Sequence, residues 1–166
     1  MIFIGEIFSF LAAIFLCYSL FSKTKNKMIY IQIFSAIANF ISNIFLFSYS
    51  GAITNFFTIL RNYISYKGKN SFILTISICI LLTILGMIFN NQGIIGVLPI
   101  LATLEYTICI YKVKKVNNML ISAFFNVLLW SIYDFYIMSY PMFVMDVVTA
   151  LVSIHNYFKN KHQKTI

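Results

Sequence analysis

Acidic residues are scarce in this sequence. There are four, Glu6, Glu105, Asp134 and Asp146, and all lie within apolar runs. No glycine-rich phosphate loop is present, and no Ser/His/Asp arrangement or His/Cys cluster, so nucleotide hydrolysis, triad chemistry and metal catalysis have no residues to carry them. The three cysteines, Cys17, Cys79 and Cys109, fall in apolar runs without metal-ligand spacing. They read as small core or lipid-facing residues. No cofactor is implied, and the chain is not read as an enzyme. The first twenty residues lack a basic n-region and a small-residue cleavage site, so they read as a retained first span rather than a cleaved signal.

Charge is low overall. Only 10% of residues are charged, against about 25% in a soluble domain, while 61% are hydrophobic. Lipid must therefore be the solvent for most of the chain. Its 166 residues suffice for about seven spans of ~20 residues with short loops. Apolar runs cover about 2–22, 28–48, 52–66, 72–89, 94–111, 119–138 and 142–158, broken by lysine-rich or turn-forming stretches. A backbone in hydrocarbon must satisfy its own hydrogen bonds, and these runs lack the alternation of barrel strands, so they read as helices.

The basic residues set the orientation. Lys23, Lys25 and Lys27 follow run 1; Arg61, Lys67 and Lys69 end run 3; Lys112, Lys114 and Lys115 follow run 5; Lys159, Lys161 and Lys164 form the tail. The loops after runs 2, 4 and 6 have none. By the positive-inside rule the basic face is cytoplasmic and the N-terminus is outside. The net charge of +8 then records topology, and no nucleic-acid partner is implied.

A repeat lies in the polar residues. An offset of 91 residues carries Ile4-Gly5 onto Ile95-Gly96, Lys23 onto Lys114, Asn26 onto Asn117, Met28 onto Met119 and Tyr49 onto Tyr140. On span 2, Ser35, Asn39, Ser42 and Asn43 share one helix face. The offset gives Asn126, Trp130, Tyr133 and Asp134 on span 6. On span 3, Asn55, Thr58 and Asn62 share a face, and give Asp146, Thr149 and Ser153 on span 7. Three spans, one linker span and three more would place two triple-helix bundles in parallel around an axis along the membrane normal. The implied division is residues 1–70, 71–92 and 93–166. The blander account of the stripes is polar glue between helices.

An intramembrane carboxylate costs about 2.5–3.5 kcal/mol on insertion scales, so the four acids should face the bundle interior, find partners or hold protons. Asp134 and Asp146 flank the short loop around Pro141 at similar depth, which suits a proton-coupled or cation-binding site; hydrogen bonding to neighbouring helices is the alternative. Trp130, the single tryptophan, lies near mid-depth on the face of Asn126 and Asp134, where it could stack on a solute or pack. Glu6 reads as solvated near the outer surface, Arg61 as snorkelling to phosphates, and His155 as a boundary residue. Glu105 could pair with Tyr18 or a lysine, or line the path.

Gly51-Ala52 with Asn55 and Leu60-Arg61, Leu98-Pro99 with Thr103, Trp130 with Asp134, and Asp146 with Asn156 together resemble the bacterial inner-membrane YgjV family over most of the chain. No established activity comes with that resemblance. The family is similar in layout to the SWEET, SemiSWEET and PQ-loop small-solute transporters. That likeness implies an all-α membrane protein of seven transmembrane helices in a 3+1+3 arrangement, with a central pocket at Asn39, Asn55, Trp130 and Asp146, to which the polar faces add Asn126 and Asp134. Asp146 stands where Asn is expected, Asn39 where an aromatic is expected, and Pro99 has no glutamine beside it. A sugar substrate is therefore not implied. The expected function is transport of a small polar solute, proton coupling included, across the bacterial inner membrane. The alternative is a non-transporting accessory or assembly protein. Substrate and oligomeric state are not readable from the sequence.

Overall fold

The computed structural model describes residues 2–162, so Lys164 lies outside the described residues. Seven helices follow one another: α1 (Ile2–Ser19), α2 (Lys25–Phe45), α3 (Tyr49–Tyr66), α4 (Phe72–Ile88), α5 (Val97–Lys112), α6 (Val116–Tyr136) and α7 (Tyr140–His162). Four of them, α1, α2, α6 and α7, are long and apolar enough to cross a membrane, and α4 is a shorter apolar helix.

Helix ends follow local chemistry. Thr24 and Ser71 cap α2 and α4, accepting from the backbone N–H groups of Lys27 and Leu74, which would otherwise lack partners. Gly68 and Gly93 take positive φ in the connections, where a side chain would be strained. Pro99 and Pro141 sit in the first turns of α5 and α7, where the missing N–H costs no helix bond.

Within the sequence, α2 packs against α1 and α3, and α6 against α5 and α7. Contacts of α1 with α7 and of α3 with α5 close these six helices into a ring. Helix α4 lies outside it, against α3 and α5, burying only Ile78, Leu82 and Gly86. Close approach of α1 rests on small residues: its buried positions are Gly5, Ser9, Ala12, Ala13 and Ser19. Such residues let helix backbones meet where no hydrophobic effect separates lipid from protein. The outward faces carry Phe3, Phe10, Ile73, Ile80, Leu101, Phe125 and Leu151, all exposed.

The offset of 91 reappears in backbone geometry. The α2–α3 and α6–α7 connections each contain one non-glycine residue with positive φ, Phe47 (56°) and Met138 (60°). The Ser48 N–H donates to the Asn43 carbonyl over 2.8 Å, and the Ser139 N–H to the Asp134 carbonyl over 2.8 Å. The next bonds match too, Leu46 to Ser42 and Ile137 to Tyr133. The two hairpins are the same turn, built from different sequences.

Candidate functional site

The interior of the ring is polar. Ser35, Asn39, Ser42, Asn43, Asn55 and Asn62 on one side, and Trp130, Tyr133, Asp134, Asp146, Thr149 and Ser153 on the other, are all buried, with Thr58 and Asn126 half-buried. None of the paired positions faces outward. Glue accounts for part of this. The Ser35 hydroxyl donates to the Ala12 carbonyl (2.7 Å) and the Asn126 amide to the Ala102 carbonyl (2.7 Å), the same inter-helix bond in each half to within one residue. Asn43 donates to the Asn39 carbonyl (2.8 Å) and Asn55 to the Gly51 carbonyl (2.9 Å), each one turn back on its own helix.

A cavity remains between the helices. Its volume, counted as space open to the centre of a water-sized sphere, is about 70 Å³, and Asn39, Asn55, Asn126, Trp130 and Asp146 line it together. Trp130 meets Tyr133 edge-on at 5.7 Å between ring centroids, so it both packs and borders the space. Asp134 does not line the cavity. It is buried, with its carboxyl group near that of Asp146. Both Asp146 oxygens and Asp134 Oδ2 are buried without a hydrogen-bond partner among the described residues.

Arg61 corrects the reading of the sequence. It does not snorkel; it is 5% exposed and lines the cavity. Its Nε donates to Asn62 Oδ1 (3.1 Å), and its Nη1 to the Thr103 carbonyl (3.3 Å) and Thr107 Oγ1 (3.0 Å). The guanidinium lies over the Tyr106 ring, 5.1 Å from its centroid, a cation–π contact that fits Arg better than Lys. Gln32 donates to the Tyr106 hydroxyl (3.0 Å) across the ring from α2. Gln32, Thr103 and Tyr106 were not among the expected site residues. The signal existed: Gln32 precedes Ser35 by one helical step, and Thr103, Tyr106 and Thr107 share a face at i, i+3, i+4. Glu105 pairs with neither Tyr18 nor a lysine; it accepts from Ser122 Oγ at 2.7 and 2.8 Å on the exposed side of α5.

The ring is tied at both ends. At the end away from the lysines, the Tyr133 hydroxyl accepts from the Gly51 N–H (3.1 Å) and bonds the Ser48 and Ser50 hydroxyls. Ser9 and Ser139 share a hydrogen bond of 2.7 Å. At the basic end, Lys25 Nζ donates to the Ile110 (2.5 Å) and Val113 (2.8 Å) carbonyls at the C-terminus of α5, and Asn156 donates to the Leu20 carbonyl (3.2 Å). A vestibule there is lined by Lys23, Lys25, Lys114, Lys115 and Lys159.

A family model described as a bacterial inner membrane protein, Imp-YgjV, matches residues 3–164. No curated protein and no solved structure matches the chain.

Proposed function

We propose that this chain, which belongs to the Imp-YgjV family of bacterial inner membrane proteins, carries a small polar solute by alternating access between two three-helix bundles. In this reading all seven helices cross the membrane, with the lysine-rich end cytoplasmic and the N-terminus outside, an orientation that the positive-inside rule supports. The protein performs no covalent chemistry on its solute.

One observation carries this reading: a cavity inside the ring draws polar residues from both halves, Asn39, Asn55 and Arg61 from α2 and α3, Asn126, Trp130 and Asp146 from α6 and α7. Ligand sites of transporters built from repeats lie at such an interface near the bilayer midplane. With about 70 Å³, against ~300–1,000 Å³ for pockets holding drug-sized ligands, the cavity is small in this conformation. The Tyr133 cluster would close the outer side and the Lys25 bonds the inner side, and transport would break them in turn. The buried Asp134 and Asp146 carboxyl groups would give a coupling proton a place to bind and leave.

The second reading, a non-transporting accessory protein, draws on the inter-helix bonds of Ser35 and Asn126, which are glue. It does not account for buried oxygens left without donors beside a cavity. Uptake into proteoliposomes across a metabolite panel, with and without a pH gradient, separates the two. Solute accumulation that falls with Trp130→Ala and Asp146→Asn is expected. No uptake of any solute, or uptake indifferent to both substitutions, overturns the carrier or its site.

A further inference from the structure

Arg61 and Asp146, a basic and an acidic residue, line one cavity and are not paired with each other; the hydrogen-bond partners of Arg61 are all neutral groups. They are 5% and 1% exposed. Burying a charge without a counter-charge is expensive, and inside a membrane such residues mark function.

Each end of the cavity offers a different unsatisfied set. Near Arg61, Nη2 donates to no protein group, and the buried Asn62 Nδ2 has no acceptor. Two free donors, one of them cationic, fit a carboxylate. At the other end, both buried oxygens of Asp146 have no hydrogen-bond partner. A primary ammonium brings three donors and a positive charge, and accepts nothing. The two sets are separated along the ring. In the 91-residue register Asp146 matches Asn55, and Arg61 lies six residues, about 9 Å of helix rise, nearer the basic end.

Size narrows the solute. The cavity, about 70 Å³, is small against the ~300–1,000 Å³ of pockets that hold drug-sized ligands, so the solute it admits is a small one. We infer that the cavity takes a small zwitterion, its ammonium on Asp146 and its carboxylate on Arg61 and Asn62. A single negative charge on Asp146 would balance Arg61, and a zwitterion would leave that balance unchanged. A sugar would leave both charges unpaired; a simple cation or anion would leave one.

This inference rests on the solute site proposed above, and its test is binding, not transport. Thermal unfolding of the detergent-purified protein is followed with glycine, β-alanine or γ-aminobutyrate, and with propylamine, propionate, their equimolar mixture and glucose. At least one zwitterion is expected to raise the unfolding temperature at a concentration about tenfold or more below that needed by any of the others. Arg61→Gln and Asp146→Asn are each expected to weaken that response about tenfold or more. The comparison of solutes on the unaltered chain stands even if a variant fails to fold. No response to any of the three zwitterions, or an equal response to propylamine or propionate alone, overturns the inference. A zwitterion response without uptake removes the carrier and keeps the site; uptake of a neutral solute without a zwitterion response does the reverse.

Discussion

Gly51 stands where three polar groups meet: its own N–H on the Tyr133 hydroxyl, the Asn43 carboxamide and the Ser50 side chain. A Cβ there would lie 2.9 Å from the Tyr133 oxygen and run into Asn43. Gly51→Ala is expected to destabilise the protein by about 1–3 kcal/mol through overpacking, read as a lower unfolding temperature in detergent. The aspartate pair should answer differently to two substitutions. Asp134→Asn places an amide donor beside the Asp146 oxygens that have none, so the unfolding temperature should stay level or rise, while uptake loses its response to a pH gradient. Asp146→Ala leaves a void and a lone buried carboxyl group, and is expected to lower stability by about 1–3 kcal/mol. If Asp134→Asn unfolds the protein instead, the amide does not serve those oxygens.

Two hairpins and one tyrosine define behaviour at the level of helices and turns. Phe47 and Met138 hold the left-handed conformation at equivalent places, at a cost of roughly 1–2 kcal/mol each for a residue with a side chain. Glycine removes that strain but loses about 0.5–1 kcal/mol of chain entropy. Phe47→Gly and Met138→Gly are therefore expected to give small and similar gains in unfolding temperature. A large gain at one and a loss at the other would mean that the turns are not equivalent. Tyr133→Phe strips the hydroxyl that joins α6 to the start of α3. It should open the end away from the lysines, so that a cysteine at Asn55 reacts faster with an impermeant thiol reagent added from that side.

For the molecule as a whole, orientation is the testable property. With Cys17, Cys79 and Cys109 replaced, a cysteine at Gln92 should label from outside intact cells. One at Lys69 should label only after the membrane is opened. The reverse pattern would invert the chain and place the Lys23, Lys114 and Lys159 vestibule outside. Helix α4, the plainest of the seven, packs outside the ring against α3 and α5.

The seven helices were legible as residues because an apolar run in lipid has one way to satisfy its backbone, and lysines and turn formers mark where it stops. The buried polar faces were legible for a related reason: Asn43, Asn62, Asp134 and Thr149 cannot face hydrocarbon, so their spacing reveals the inner side of each helix. Local sequence could not say which inner faces meet. Arg61 lies near the end of α3, a position from which an arginine can reach phosphate, and only the arrival of Thr103, Tyr106 and Thr107 on α5, over forty residues away, holds it inside. Likewise Asp134 and Asp146 have similar sequence settings, yet packing puts Asp146 against the cavity and not Asp134. Contacts between helices distant in sequence decide such outcomes, because a polar side chain within a membrane takes whatever partner the assembled bundle brings to it.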